Sequence, residues 1–172
     1  RSNNDPLLFL EFHRQFTHSL IFIPIGSLVF TIFFYNIFLK KLSINFFNTW
    51  VFATLGYGTH GLLDACTSYG TQSFWPFSNE RISWNNISII DPLFTIPLLI
   101  LLIFSLIKKN SLFAKFALGW ALIYLFFGFI QNHRAEQVAK EIAIQRNHKP
   151  VIISVKPSFC NLILWKIIYQ HN

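Results

Sequence analysis

The chain has 172 residues, 53% of them hydrophobic, and a formal net charge of +7. Its apolar residues come in unbroken runs close to the roughly 17–25 residues that cross a bilayer, which excludes an ordinary soluble domain. The basic excess does not point to nucleic acid: Lys and Arg stand beside the hydrophobic runs, where they anchor helices at a membrane surface.

In chain order, residues 1–16 are mixed, with a turn or helix start at Asp5-Pro6. His13-Arg14-Gln15-Phe16-Thr17-His18-Ser19 leads into a first apolar run, 20–39, with Thr17 or Ser19 available to cap it. Pro24 and Gly26 fall in its first two turns, which membrane helices tolerate. Lys40-Lys41 closes it. The second run, 46–63, carries Gly56 and Gly58, small residues that permit close helix approach. It ends in Thr59-His60-Gly61-Leu62-Leu63-Asp64, where His60 and Asp64, four apart, share one helix face.

Residues 66–90 are less apolar and are expected to form a loop at the membrane surface, flanked by Trp75 and Trp84 as interfacial aromatics. Asp91-Pro92 is a strong helix start, an N-cap followed by proline at the first helical position. The third run is 92–107. Lys108, Lys109 and Lys115 surround the turn into the fourth, 112–130, which ends in Gln131-Asn132-His133-Arg134. Beyond it a polar helix is expected over 134–149, a weak strand over 151–155 and an apolar cluster around Trp165 that docks on the surface. Cys66 and Cys160 fit no metal-pair spacing and read as packing residues.

The expected fold is therefore an all-α integral membrane protein with about four transmembrane helices. Residues 1–134 would form the membrane domain, and 135–172 a polar helix with a membrane-surface segment. Four antiparallel spans would bring His13, His18, His60, Asp64, Asp91, His133 and Arg134 to one face. The opposite face would hold Lys40, Lys41, Lys108, Lys109 and Lys115, which makes it cytoplasmic by the positive-inside rule and the His/Asp face extracytoplasmic.

Each polar residue also has a plainer reading. His60-x-x-x-Asp64 is a polar helix end, Asp91 a cap, Arg81 a loop residue, and His133-Arg134 a basic helix end. Convergence is what favours a metal centre. Imidazole and carboxylate without thiolate suit zinc, with manganese or iron as alternatives. Such an ion polarises a phosphoryl or acyl oxygen, and Arg14 or Arg81 can offset charge developing on a phosphate. The chain has no Gly-rich phosphate loop, G-x-S-x-G elbow or HExxH motif. The competing class is a non-catalytic membrane protein, either a metal or ion carrier or a structural partner. A carrier favours ionisable residues at mid-span, whereas here they cluster at the ends of the runs.

Taken together, His13-Arg14-x-x-Thr17-His18-Ser19, His60-x-x-x-Asp64 followed by Tyr69-Gly70-Thr71, and Asp91-Pro92 resemble the YdjM/YbcI family of bacterial inner-membrane proteins. That family is described as predicted metal-dependent hydrolases. The resemblance covers most of the chain, from about Asp5 to Arg134, and continues to Trp165. It implies an inner-membrane, multi-pass hydrolase, distantly similar to the zinc-dependent phospholipase C and nuclease group. By that similarity His60 and Asp64 are the leading metal ligands and His13 and His18 the next. Arg14, Arg81 and Asp91 are the expected catalytic residues beside these ligands, and a phosphoester or lipid headgroup is the implied substrate. Family members tend to carry a Pro-Asp-x-Asp segment shortly before the His-Arg motif. With a chain that starts at Arg1 and contains no Met, that segment is expected upstream, in a longer protein.

Overall fold

The computed structural model describes residues 14–171, so His13 lies outside the described residues. The chain divides into two compact units. One comprises the residues up to Ala65 with Tyr69–Ser83, the other Cys66–Ser68 with the residues from Trp84 onward.

The first unit is a pair of helices. A 3-10 turn, Phe16–His18, leads into α1, Phe22–Phe34, which continues through a π turn, Tyr35–Leu39, and a 3-10 turn, Lys40–Leu42. Ser19 supplies the cap, its Oγ accepting from Phe22 N at 3.2 Å. The 21-residue stretch Phe22–Leu42 is long and apolar enough to cross a membrane; at about 1.5 Å per residue it spans about 31 Å, the thickness of a hydrocarbon core. Ser43 turns the chain with a positive φ of 54°, and α2 follows over Phe46–Cys66.

Hydrogen bonds in a nonpolar setting hold α1 to α2. The Ser27 and Thr54 hydroxyls share one at 2.6 Å, and Trp50 Nε1 donates to Pro24 O at 3.1 Å. The close approach expected at Gly56 and Gly58 occurs instead at Gly26. A Cβ there would lie 2.9 Å from the Phe22 ring and 3.1 Å from the Tyr57 ring, whereas one at Gly56 would meet nothing within 4 Å.

In the second unit α3 spans Pro92–Lys108 and α4 Ser111–Gln145. Asp91 is the N-cap of α3, with Oδ1 accepting from Leu93 N at 3.1 Å and from Phe94 N at 3.4 Å. Lys109 adopts a left-handed conformation, φ 48°, and Asn110 caps α4 through Leu112 N at 2.9 Å, which reverses the chain within two residues. Trp120 Nε1 donates to Phe94 O at 3.3 Å, and the Tyr124 ring packs against Phe94. The fourth run and the polar helix expected after it are one continuous 35-residue helix, apolar enough to cross a membrane in its first part.

The all-α expectation is corrected by the C-terminal segment. Strands β1, Pro150–Pro157, and β2, Trp165–His171, form an antiparallel hairpin. Val155, with Ile153, Trp165 and Ile167, packs on Ala135 and Ala139 of α4. Those alanines and Ala143 recur every four residues, a narrow stripe that lets a strand lie close to the helix. Among the described residues, two helices meet the length and apolarity needed to span a membrane. Helix α3, with 17 residues, is shorter, and α2 is interrupted by Thr54, Thr59, His60 and Asp64.

Candidate metal centre

The site lies in the first unit, where the segment before α1 meets the last turns of α2. Two backbone hydrogen bonds fix that segment: Gln72 N donates to Arg14 O at 3.2 Å and Leu20 N to Ser73 O at 3.0 Å. Arg14 has φ 59°, a left-handed conformation that a side-chain-bearing residue adopts only when its surroundings hold it there. With its carbonyl engaged by Gln72, its guanidinium reaches Asp64.

Three side chains converge on one oxygen, Asp64 Oδ2. His18 Nε2 lies at 3.0 Å, Arg14 Nε at 3.4 Å and His60 Nε2 at 3.8 Å. Asp64, Arg14 and His18 are mostly buried, whereas the His60 side chain is 61% exposed, its ring centre 5.3 Å from that of His18. One donor atom from each of His18, His60 and Asp64 lies within 4.8 Å of the others. Ligands on a tetrahedral zinc at 2.0–2.1 Å stand about 3.3 Å apart, so rotation of the exposed His60 ring is the adjustment the set requires.

His18 Nε2 is buried, and the polar atom beside it is Asp64 Oδ2 at 3.0 Å. Nδ1 of the same ring is 2.8 Å from Thr17 Oγ1. A ring that gives its Nδ1 proton to Thr17 presents a lone pair at Nε2, the tautomer a metal ligand needs. Burial holds the His18 pKa below its ordinary value. Asp64 opposes that shift, and the neighbouring His60 and Arg14 add to it. His18 is therefore neutral at neutral pH. A buried imidazole nitrogen, a second imidazole and a carboxylate make a donor set that fits a divalent ion.

Around this set stands Tyr69, which the sequence motif includes without a role and which both arginines touch. The Arg14 guanidinium carbon sits 5.6 Å from the centre of its ring, and Arg81 Nη1 donates to its carbonyl at 3.3 Å. Both arginines thus hold the same residue. Gly70 makes this possible. Its φ is +63°, and a Cβ would collide with Ile82 O. Without one, Thr71 and Ile82 exchange hydrogen bonds, each at 2.9 Å. The Tyr69-Gly70-Thr71 spacing was visible in the sequence, but its partner Ile82 was not.

Asp91, His133 and Arg134 belong to the other unit. Besides capping α3, Asp91 accepts a hydrogen bond from Tyr124 OH on Oδ2 at 2.8 Å, and it is only 2% exposed. His133 stacks on Phe129 and lies 3.9 Å from Glu136, mostly exposed.

A search of curated proteins and a search of solved structures returned no match. A family model described as YdjM inner membrane protein matches residues 2–135, which include the whole His18, His60 and Asp64 cluster and the Asp91 cap. The chain belongs to the YdjM inner membrane protein family.

Proposed function

We propose that this chain is a membrane-bound, metal-dependent hydrolase acting on a phosphoester, with a lipid headgroup as the substrate class. The observation that carries the reading is the convergence of His18 and His60 on Asp64, with a donor atom from each within 4.8 Å. Two imidazoles and a carboxylate suit zinc, with manganese or iron as alternatives. His18, His60 and Asp64 would hold the ion, and His13, outside the described residues, is a further candidate by the family resemblance. The bound ion would polarise a phosphoryl oxygen and lower the pKa of a water.

The chain's own groups would do the rest. Arg14, poised on the edge of the set by Asp64 and Tyr69, would offset negative charge on the phosphoryl oxygens, and Arg81 is the second cation available. Asp91 serves as the cap that orients α3. One turn from His60, Gly56 lines a cavity of about 320 Å³ with Gly26, Ser27, Phe30, Ala53 and Tyr57. This uncharged space suits the apolar part of a lipid. The runs 20–39 and 46–59 contain no charged residue, which favours chemistry at the membrane boundary over a carrier's polar path.

In this reading α2 and α3 also cross, making four spans. The lysine-rich ends face the cytoplasm and the metal centre faces the extracytoplasmic side. The test is elemental analysis of the purified full-length protein, its His60→Ala and Asp64→Ala variants, and hydrolysis of a model phosphodiester. Stoichiometric metal and hydrolysis, both lost in the variants, support the reading. Metal content unchanged in both variants overturns it. Metal lost in the variants with no phosphoester hydrolysis by the parent leaves a carrier or structural metal protein.

A further inference from the structure

We propose that the loop joining β1 to β2, Ser158 to Leu164, is a wedge that inserts into the lipid layer beside α4. Its outward side chains are apolar: Phe159, Ile163 and Leu164 are exposed to 67%, 82% and 65%. An exposed apolar loop tip is costly in water and marks a surface with a partner.

Five of the loop's seven backbone N–H groups are hydrogen-bonded within the unit, which lowers the cost of placing it in hydrocarbon. Asn161 Oδ1 accepts from Ile163 N at 3.0 Å and Leu164 N at 2.7 Å, while its Nδ2 donates to Phe159 O at 3.0 Å. Ser158 N donates to Leu164 O at 2.9 Å and Cys160 N to Ser88 Oγ at 3.1 Å. Trp165 Nε1 donates to Leu162 O at 2.8 Å. These bonds engage most of the loop's donors, and Phe159, Ile163 and Leu164 face out.

Packing sets the depth. Leu162 is buried against Tyr124 and reaches Gly128, where a Cβ on the helix would collide with Asn86 O. Both residues lie within the apolar part of α4, before its polar end begins at Gln131. At about 1.5 Å per residue, the level of Leu162 is about 5–10 Å inside that boundary. Ile163 and Trp165 line a cavity of about 290 Å³ with Gln131 and Arg134, at the boundary itself. The hairpin therefore runs back along α4 toward the membrane, with Trp165 at the level an interfacial tryptophan takes.

Charge agrees with this placement. Lys156 and Lys166 are directly paired across the strands, an arrangement that repels unless anions lie nearby. Residues 150–171 contain no Asp or Glu. Phospholipid phosphates just above an inserted loop would provide the anions.

The test is spin labelling of the full chain in phospholipid nanodiscs. Single cysteines are placed at Phe159→Cys, Ile163→Cys and, as a reference on exposed β2, Gln170→Cys, in a Cys66→Ala/Cys160→Ser background. Collision with oxygen, which partitions into lipid, is compared with collision with a water-soluble nickel chelate. The expected result is a severalfold higher oxygen-to-chelate ratio at 159 and 163 than at 170. A ratio at either position equal to that at 170 overturns the proposal. Protection from both quenchers also overturns it, since protein rather than lipid would then cover the loop.

Discussion

Replacing His60 by alanine separates a metal ligand from a decorative surface histidine. The side chain is 61% exposed and 3.8 Å from Asp64 Oδ2. An exposed pair of that kind contributes about 0–1 kcal/mol, so the metal-free variant should unfold within about 1 kcal/mol of the parent. Its metal affinity should change far more. Losing even an outer partner of a metal ligand weakens binding about 10–100-fold, and a ligand costs at least the upper figure. At a free metal concentration about 100 times the parent's Kd, binding stabilises the parent by about 2.7 kcal/mol; after a 100-fold loss the same concentration equals Kd and stabilises by about 0.4 kcal/mol. Chelator competition gives the affinities, and thermal unfolding in detergent with and without zinc gives the stabilisation. A variant that keeps the parent's zinc-induced stabilisation would refute the reasoning, because His60 would then be no ligand.

Three further outcomes are expected. Gly70→Ala forces a side chain into a left-handed backbone against Ile82 O and should destabilise by about 1–3 kcal/mol, seen as a lower unfolding temperature. Tyr124→Phe removes the donor to Asp91 Oδ2 and should cost about 1–3 kcal/mol in stability while metal content stays unchanged; a loss of metal would connect Asp91 to the centre. The third concerns pH. His18 has a depressed pKa in the fold, so the unfolded chain binds more protons than the native one between that value and the ordinary 6.5. Stability of the metal-free protein should be full above about 6.5 and decline as pH falls through the folded pKa. Burial is the main cause of the shift; His60 and Arg14 add to it and Asp64 opposes it. Nuclear magnetic resonance of labelled histidine checks it, and a His18 midpoint at or above 6.5 would contradict the buried neutral ring.

Much of the local structure was legible because it depends on neighbours in the chain. Runs of apolar residues marked all four long helices, Asp91-Pro92 marked the start of α3, and Ser19 was one of two capping candidates for α1. The four-residue spacing of His60 and Asp64 placed them on one face, as α2 does. The hairpin was only half visible, since β1 shows weak alternation and β2 is an apolar cluster whose pairing depends on the alanine stripe of α4.

The sequence by itself determined where the helices lie, which pair of residues α2 presents at its end and the membrane family to which the chain belongs. The sequence grouped His18 and Arg14 with that pair, but only the tertiary structure decided that both reach the same Asp64 oxygen, from 46 and 50 residues earlier in the chain (64 − 18 and 64 − 14). It also decided that the Asp91 carboxylate is held by Tyr124, 33 residues away. The physical reason is range. Helical periodicity and capping act within a turn, but a carboxylate's partners are set by which segments pack against it. Here the Gly70 turn and two backbone hydrogen bonds from Gln72 and Leu20 make that packing.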